Sequence, residues 1–273
     1  ALVRTWGRSF ARLAEWQTAM LTAMALQSAA SPDETLARLT EEVLPRVDAL
    51  QSYVWRRHLV SAGSRLLAVG APGSPVVREA VVFVDIVGYT SRSKTLSEHQ
   101  LVEWLEFFES ETLGLVVDAG GRIIKNIGDE VLIVADDVVT AVEIALHMTE
   151  RGADLDDPFP SVRAGVAYGS VVNRLGDVFG PTVNIAARLT SVARPGTVVV
   201  DLGAYEALSG RVHDDAADDP DHSDHHGLPG HHGLPADEVG DDAAAYHFRR
   251  LRRVSVKGYS RLRAWAVRRA PGA

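Results

Sequence analysis

One stretch of ten residues constrains the fold more than any other, because it places a carboxylate inside a run of β-branched apolar residues. Residues 81–90 read Val-Val-Phe-Val-Asp-Ile-Val-Gly-Tyr-Thr, and the charged member is Asp85. The run is short, rich in Val and Ile, and broken at Gly88, which predicts a buried strand that ends in a tight turn. A buried carboxylate needs a cation or hydrogen-bond donors. Asp85 is therefore either a structural residue, capping amides or paired with an arginine, or part of a cation site.

The composition limits the classes of protein that could contain such a strand. Of the 273 residues, 46% are hydrophobic, which is enough for a sizeable core, and the formal net charge of -8 argues against a nucleic-acid-binding protein. Cysteine is absent, which excludes disulfides and thiolate metal sites and is consistent with a cytoplasmic location. Residues 16–32 carry no charge but include several polar side chains, so they predict an amphipathic helix and no membrane span.

Residues 1–70 are predicted to form a helical regulatory or linker segment, the end of a larger domain. The chain begins with Ala and not Met, which is consistent with a fragment or processed form whose missing N-terminal part could hold an anchor or a sensor. A first helix is expected to end near Ala30. Residues 31–34, Ser-Pro-Asp-Glu, supply a cap, a proline at the first helical position and a capping-box Glu for a second helix, which Pro45 is expected to kink. Two Gly and two Pro at residues 70–75 then mark a linker.

The following region, residues 76–269, has a regular alternation of strand and helix periodicities. A strand, a helix, a hairpin at residues 122–135, a second helix and a strand at residues 162–172 give the βαββαβ order of a ferredoxin-like α+β fold. Asp129 lies beside the hairpin turn, and adjacent pairing would bring it to Asp85 at the end of the first strand. Two neighbouring carboxylates are typical of a divalent-metal site.

The C-terminal half adds a predicted loop with Asp177, a helix and an unusual insertion. Asn184 and Arg188 lie four residues apart on that helix, so they project from one face. Residues 211–245 are dense in Asp, His, Gly and Pro, which predicts a disordered insertion. A solvated loop is favoured there over a metal-binding or proton-sensing role for its repeated His-His-Gly-Leu-Pro. Arginine-rich strands are expected at residues 248–269.

Three motifs in this order resemble those of the class III nucleotidyl cyclases. They read Phe-Val-Asp-Ile-Val-Gly-Tyr-Thr at 83–90, Ile-Lys-Asn-Ile-Gly-Asp at 124–129, and Asp-Val-Phe-Gly-Pro-Thr-Val-Asn-Ile-Ala-Ala-Arg at 177–188. Apart from the insertion, the resemblance covers residues 76–269 as a catalytic domain. Residues 1–70 look like the end of the helical regulatory domain that precedes the catalytic domain in soluble mycobacterial adenylate cyclases.

The resemblance implies an adenylate cyclase that converts ATP to 3′,5′-cyclic AMP and pyrophosphate as a homodimer with shared active sites. Two Mg²⁺ or Mn²⁺ ions per site would be held by Asp85, Asp129 and the carbonyl of Ile86. Lys125 and Asp177 would select adenine. The other implied roles are ribose orientation by Asn184, α-phosphate stabilisation by Arg188, terminal phosphate binding by Lys257, and phosphate binding by the backbone amides of Val87, Gly88, Tyr89 and Thr90.

Two alternatives remain at this point. The chain could be a guanylate cyclase, although cyclases that prefer GTP tend to carry Glu and Cys at the positions of Lys125 and Asp177. It could also be a catalytically silent cyclase-like module that dimerises or binds nucleotide. The presence of Asp85, Asp129 and Arg188 argues against that second alternative.

Overall fold

The computed structural model describes residues 2–26, 31–68, 76–210, 245–251, 254–256 and 259–270. The chain divides into two compact units, Ala1–Ser74 and Pro75–Ala273. In the described parts of both units, every helix is too short or too polar to span a membrane.

The N-terminal unit is helical, as predicted. It contains α1 (Leu2–Leu26), α2 (Pro32–Arg38), a π-helical turn (Leu39–Val43) and α3 (Leu44–Ala68). The expected capping box is present, because the Ser31 amide donates to Glu34 Oε2 at 3.0 Å and the Glu34 amide donates to Ser31 Oγ at 3.3 Å. The π-helical turn ends two residues before Pro45, whose ring and missing N–H disfavour a regular α-helical turn over the preceding residues. The predicted end of the first helix near Ala30 lies outside the described residues.

The second unit contains a large sheet with helices on both faces. Its elements are β1 (Val76–Ile86), α4 (Tyr89–Ser93), α5 (Glu98–Asp118), β2 (Arg122–Ile127), β3 (Glu130–Ala135), α6 (Val138–Arg151), β4 (Val162–Arg174), β5 (Asp177–Phe179), α7 (Pro181–Val192), β6 (Val198–Asp201), α8 (Leu202–Ser209), β7 (Tyr246–Arg250), β8 (Val254–Val256), β9 (Tyr259–Leu262) and β10 (Ala264–Arg269).

The order of the strands confirms the predicted fold class. The sheet runs β2-β3-β1-β4-β6-β10-β7, with β5 paired to β4 and with β8 and β9 forming a separate hairpin. Strand β1 is antiparallel to both β3 and β4, while β4 and β6 are parallel. The first four strands with α5 and α6 therefore have the ferredoxin-like α+β arrangement, extended on one side by β6, β10 and β7.

The side chains of β1 point alternately to the two faces of the sheet, and this alternation determines the face on which Asp85 lies. Val82 and Val84 belong to a cluster with residues of α5 and α6, whereas Val81 and Phe83 belong to a cluster that includes Ala186 of α7. Because successive side chains of a strand point to opposite faces, Asp85 shares the α7 face with Phe83. Both faces are covered, so the strand is buried from residue 79 to its end.

The structure confirms the predicted hairpin at residues 122–135 but not the predicted loop at Asp177. The hairpin at residues 122–135 is confirmed as β2 and β3 around a turn in which Gly128 has φ 67°. The loop predicted at Asp177 is wrong, because residues 177–179 form β5. Leu175 and Gly176 have φ 56° and 81° and close a tight hairpin between β4 and β5, without the Asn-Gly pair that usually indicates such a turn. The insertion at 211–244 lies outside the described residues.

Candidate active site

The structure brings Asp85 and Asp129 together at one end of β1. Asp129 lies in the β2–β3 turn, and its carbonyl accepts a hydrogen bond from the Ile86 amide at 3.2 Å. Asp85 is only 7% exposed. Burial raises the pKa of Asp85; the guanidinium of Arg163 opposes this rise, and the neighbouring Asp129 carboxylate adds to it. The two carboxylates therefore repel each other in a partly dehydrated site.

Arg163 is the principal partner of Asp85, and sequence reasoning did not single it out. It stands directly opposite Asp85 in the β1–β4 ladder, and its Nε and Nη2 contact Asp85 Oδ2 at 2.7 and 2.6 Å. The structural alternative for Asp85, pairing with an arginine, thus describes a real contact. The signal available in the sequence was one charged residue in the small, apolar strand Val-Arg-Ala-Gly-Val-Ala.

Glu130 makes the same corner of the sheet more acidic. It is the ladder partner of Asp85 on the other side, in β3. Burial raises the pKa of Glu130, and the charges of Asp85 and Asp129 raise it further. Among the described residues, His, Cys, Asp and Glu side chains nowhere form a group of three or more placed to hold a metal ion. This corner can therefore offer two close carboxylates, with further ligands to come from elsewhere.

Lys125 and Asp177, which are 52 residues apart in the chain, form an ion pair between β2 and β5. Lys125 Nζ donates to Asp177 Oδ2 at 2.6 Å, and the Val178 amide holds Asp177 Oδ1 at 2.9 Å. The two side chains are 43% and 31% exposed, so a ligand can still reach them. The pair presents cationic donors and an anionic acceptor side by side.

Helix α7 presents Asn184 and Arg188 to solvent. Thr182 Oγ1 donates to the carbonyl of Ser170 at 2.8 Å, and Thr190 Oγ1 donates to the carbonyl of Phe83 at 3.1 Å, which fastens both ends of α7 to the sheet. Asn184 and Arg188 are exposed. Within the described part of the chain, neither side chain is hydrogen-bonded or ion-paired to the carboxylates or to the Lys125–Asp177 pair.

The turn after β1 offers fewer free amides than the sequence predicted. The Val87 amide donates to the carbonyl of Ser161 at 2.8 Å, so it is not available to a phosphate. Gly88, at φ 73°, reverses the chain into α4, and the amides of Tyr89 and Thr90 begin that helix without acceptors inside it. Tyr89 stacks on Trp104 with ring centroids 6.1 Å apart. Lys257 lies outside the described residues.

The second unit is thus a mixed α+β domain with two neighbouring carboxylates at the end of a central strand. A family model described as the adenylate and guanylate cyclase catalytic domain matches residues 75–227. The chain therefore belongs to the class III nucleotidyl cyclase family. Members of this family generally use divalent metal ions.

Known proteins support this assignment. An adenylate cyclase of Streptomyces coelicolor is 42% identical over 212 residues, which are 76% of this chain and 55% of that protein. Two crystal structures have a similar fold. The catalytic core of a rhodopsin-guanylyl cyclase in complex with ATPαS has a TM-score of 0.54 at 20% identity, covering 71% of this chain and 98% of that one. The adenylyl cyclase CyaB from P. aeruginosa has a TM-score of 0.51 at 21% identity, covering 72% and 97%. The chain spans about half the length of the curated relatives it matches.

Proposed function

We propose that this chain is the catalytic part of an adenylate cyclase, converting ATP to 3′,5′-cyclic AMP and pyrophosphate. The observation that carries the proposal is the accessible Lys125–Asp177 pair. An ammonium can donate to adenine N1 while a carboxylate accepts from the exocyclic amine, and guanine presents the reverse pattern. The name of the S. coelicolor relative supports the same substrate.

The carboxylates of Asp85 and Asp129 fit a divalent cation. They are close enough for the charge of Asp129 to raise the pKa of Asp85, a repulsion that a cation would relieve. Mg²⁺ is usually held by one or two carboxylates together with substrate phosphates and water, which matches a site with two carboxylates. The carbonyl of Ile86 is proposed as a further ligand. Two Mg²⁺ or Mn²⁺ ions bound there would neutralise the triphosphate and lower the pKa of the ribose 3′ hydroxyl.

The other residues act on the sugar and the phosphates. The 3′ hydroxyl loses its proton, its oxygen attacks the α-phosphorus in line, and the bond to the β-phosphate oxygen breaks as pyrophosphate leaves. Arg188 would stabilise the negative charge on the α-phosphate, and Asn184 would orient the ribose. The remaining phosphate contacts are assigned to the amides of Gly88, Tyr89 and Thr90 and to the side chain of Lys257.

Two copies of the chain are proposed to share each site. Lys125 and Asp129 are four residues apart but would serve opposite ends of one nucleotide. Asn184 and Arg188 face solvent and do not contact the carboxylates within the described part of one chain. A symmetric dimer resolves both points if the carboxylates of one copy face the purine and ribose residues of the other.

Mixing inactive variants tests the shared site. Asp85→Ala and Arg188→Ala chains should each be inactive, and an equimolar mixture should recover about a quarter of the wild-type rate, because half of the dimers are mixed and one of their two sites is intact. A mixture of Asp85→Ala with Asp129→Ala is the matched control and should stay inactive, since both changes affect the same half of the site. The absence of recovery in the first mixture would rule out shared sites.

The substrate is tested by measuring cyclic AMP and cyclic GMP formation with ATP and GTP, with Mg²⁺ and Mn²⁺ in separate reactions. A higher kcat/KM for ATP is expected. A preference for GTP would instead indicate a guanylate cyclase, and a folded dimer inactive with both nucleotides and both metals would indicate a silent module. ATP is a cytoplasmic metabolite, which is the reason for proposing a cytoplasmic catalytic unit.

A further inference from the structure

A buried carboxylate connects the strand that carries Lys125 to the hairpin that carries Asp177. Glu79 of β1 is only 6% exposed. Its Oε1 accepts a hydrogen bond from Arg122 Nη2 at 2.6 Å, and its Oε2 accepts one from Asn173 Nδ2 at 3.3 Å. Arg122 belongs to β2 and Asn173 to β4, so this one side chain joins strands on both sides of β1.

The partners of Glu79 lie close in the chain to the purine-selecting pair. Arg122 precedes Lys125 by three residues on β2, and Asn173 precedes Asp177 by four residues on the β4–β5 hairpin. A change in the distance between Arg122 and Asn173 would therefore change the distance between the Lys125 ammonium and the Asp177 carboxylate. The Asp177 carboxylate is additionally fixed by the amide of the next residue, at 2.9 Å.

A β-bulge in β2 places Lys125 on the same face of the sheet as Arg122. In a regular strand, residues three apart point to opposite faces. The β2–β3 register shifts between Ile123 and Lys125, so that Arg122 pairs with Val134 and Lys125 with Leu132. Both of those partners belong to the cluster on the α7 face. The bulge thus turns Lys125 to the face on which Arg122 is held, which is a known use of bulges near functional sites.

We propose that Glu79, Arg122 and Asn173 are positioning residues for purine selection, acting through Lys125 and Asp177. This inference rests on the proposed function. The Arg122–Glu79 ion pair holds β2 one residue before the register shift, which begins after Ile123, and the Asn173 amide holds the β4–β5 hairpin to the same carboxylate. The separation of the ammonium and the carboxylate, which must match adenine N1 and the exocyclic amine, is set by this network.

The test compares the ATP-over-GTP ratio of kcat/KM in the full chain and in a Glu79→Gln/Arg122→Met double variant, which removes both charges of the buried pair together. The ratio should fall by roughly tenfold, mainly through a higher KM for ATP. Equilibrium binding of 3′-deoxy-ATP and 3′-deoxy-GTP, which cannot cyclise, should show the same loss of discrimination. Arg122→Lys should give an intermediate ratio, because it keeps the charge but not the planar donors.

The same double variant in a Lys125→Ala background separates positioning from general structural support. If the network acts through Lys125, it should no longer affect the ratio in that background. Asp136→Asn is the matched control: Asp136 Oδ1 lies 3.3 Å from the same Arg122 Nη2, but its side chain is 71% exposed. That control should keep the wild-type ratio within about twofold.

Three results would overturn the inference. An equal loss of kcat for both nucleotides with an unchanged ratio would leave the network a structural role only. The same change in ratio with and without Lys125 would show that the network does not act through that residue. If the wild-type chain has no preference for ATP, the proposed function fails and this inference fails with it, whereas a wild-type preference that survives in the double variant contradicts the inference alone.

Discussion

Leu175 occupies a backbone conformation that suits glycine or asparagine. Its φ of 56° lies in the left-handed region, and its side chain is 61% exposed. We expect Leu175→Gly to raise the free energy of unfolding by about 1 kcal/mol, because it removes the contact between Cβ and the following carbonyl. Leu175→Ala keeps Cβ and should bring no such gain. Denaturant unfolding of the two variants measures the difference, and equal stabilities would contradict the strain.

Asp201 gives the stability of the catalytic unit a dependence on pH. The carboxylate caps α8, accepting hydrogen bonds from the amides of Ala204 and Tyr168, and burial raises its pKa from 3.8 to about 6. Since the folded-state pKa lies above the unfolded value, the folded state binds the proton more tightly. The resulting contribution to stability is complete below pH 3.8 and is lost as the pH rises through 6.

The Asp201→Asn variant isolates this effect, because it keeps an acceptor oxygen and cannot ionise. Relative to the variant, the free energy of unfolding of the wild type should fall by roughly 2 kcal/mol between pH 4 and pH 7. Denaturant unfolding across that range measures the difference. A difference between the two proteins that does not vary with pH would show that the carboxyl pKa is the same in the folded and unfolded states.

The sequence was informative about isolated charges and uninformative about their partners. Asp85 stood out because a carboxylate in a run of Val and Ile must be compensated. Which cation compensates it depends on strand order and register, and Arg163 is 78 residues away in the chain. Glu79 and Arg122 were missed for the same reason, since their contact spans the intervening strand β3.

The position of α7 depends on a residue without a side chain. A Cβ added at Gly165 of β4 would lie 2.4 Å from the Ala186 carbonyl and 2.4 Å from the Thr190 amide. Gly165→Ala should therefore push α7 away from the sheet and lower the free energy of unfolding by about 1–3 kcal/mol. Cyclase activity should fall as well, because this helix carries Asn184 and Arg188, which are proposed to bind the ribose and the α-phosphate.

Gly114→Ala on α5 is a suitable control for that substitution. An added Cβ there meets nothing within 4 Å, so the helix should be stabilised by about 0.5–1 kcal/mol with no loss of activity. Thermal melting and the rate of cyclic AMP formation distinguish the two variants. Wild-type activity in Gly165→Ala would show that the α7 position does not limit catalysis.

Secondary structure was predictable where one periodicity was sustained. The capping box at Ser97 and the long amphipathic pattern after it determined α5, and two β-rich runs determined β2 and β3. The three-residue strand β5 is too short to have a period. It exists because the turn before it folds the chain back on β4, and the sequence Leu-Gly is a weak signal for that turn. The bulge in β2 likewise leaves no signal in the sequence, since Ile123 and Ile124 both pack against the core.

At the scale of the whole molecule, the N-terminal unit exposes more large apolar side chains than a free surface usually does. They are Phe10, Trp16, Met24 and Leu26 on α1, and Leu44, Leu50, Tyr53, Val54, Trp55, Leu59 and Val60 on α3. Such a surface favours association, and a second copy of the chain is the partner in the dimer proposed above. Because residues 75–273 form their own compact unit, a chain without residues 1–70 should still fold.

Removing residues 1–70 should therefore change the cyclase rate by weakening the proposed dimer and not by unfolding the catalytic unit. We expect the truncated chain to reach half of its maximal specific activity at a protein concentration roughly tenfold higher than the full chain, as expected when part of a dimer contact is lost. Sedimentation equilibrium should show the same shift in self-association.

If the helices act only on dimer formation, the two chains should have equal rates at saturating concentration, whereas a lasting difference would mean that they also affect the geometry of the shared site. The same concentration dependence together with the same rate at saturating concentration would exclude a regulatory role for the N-terminal unit.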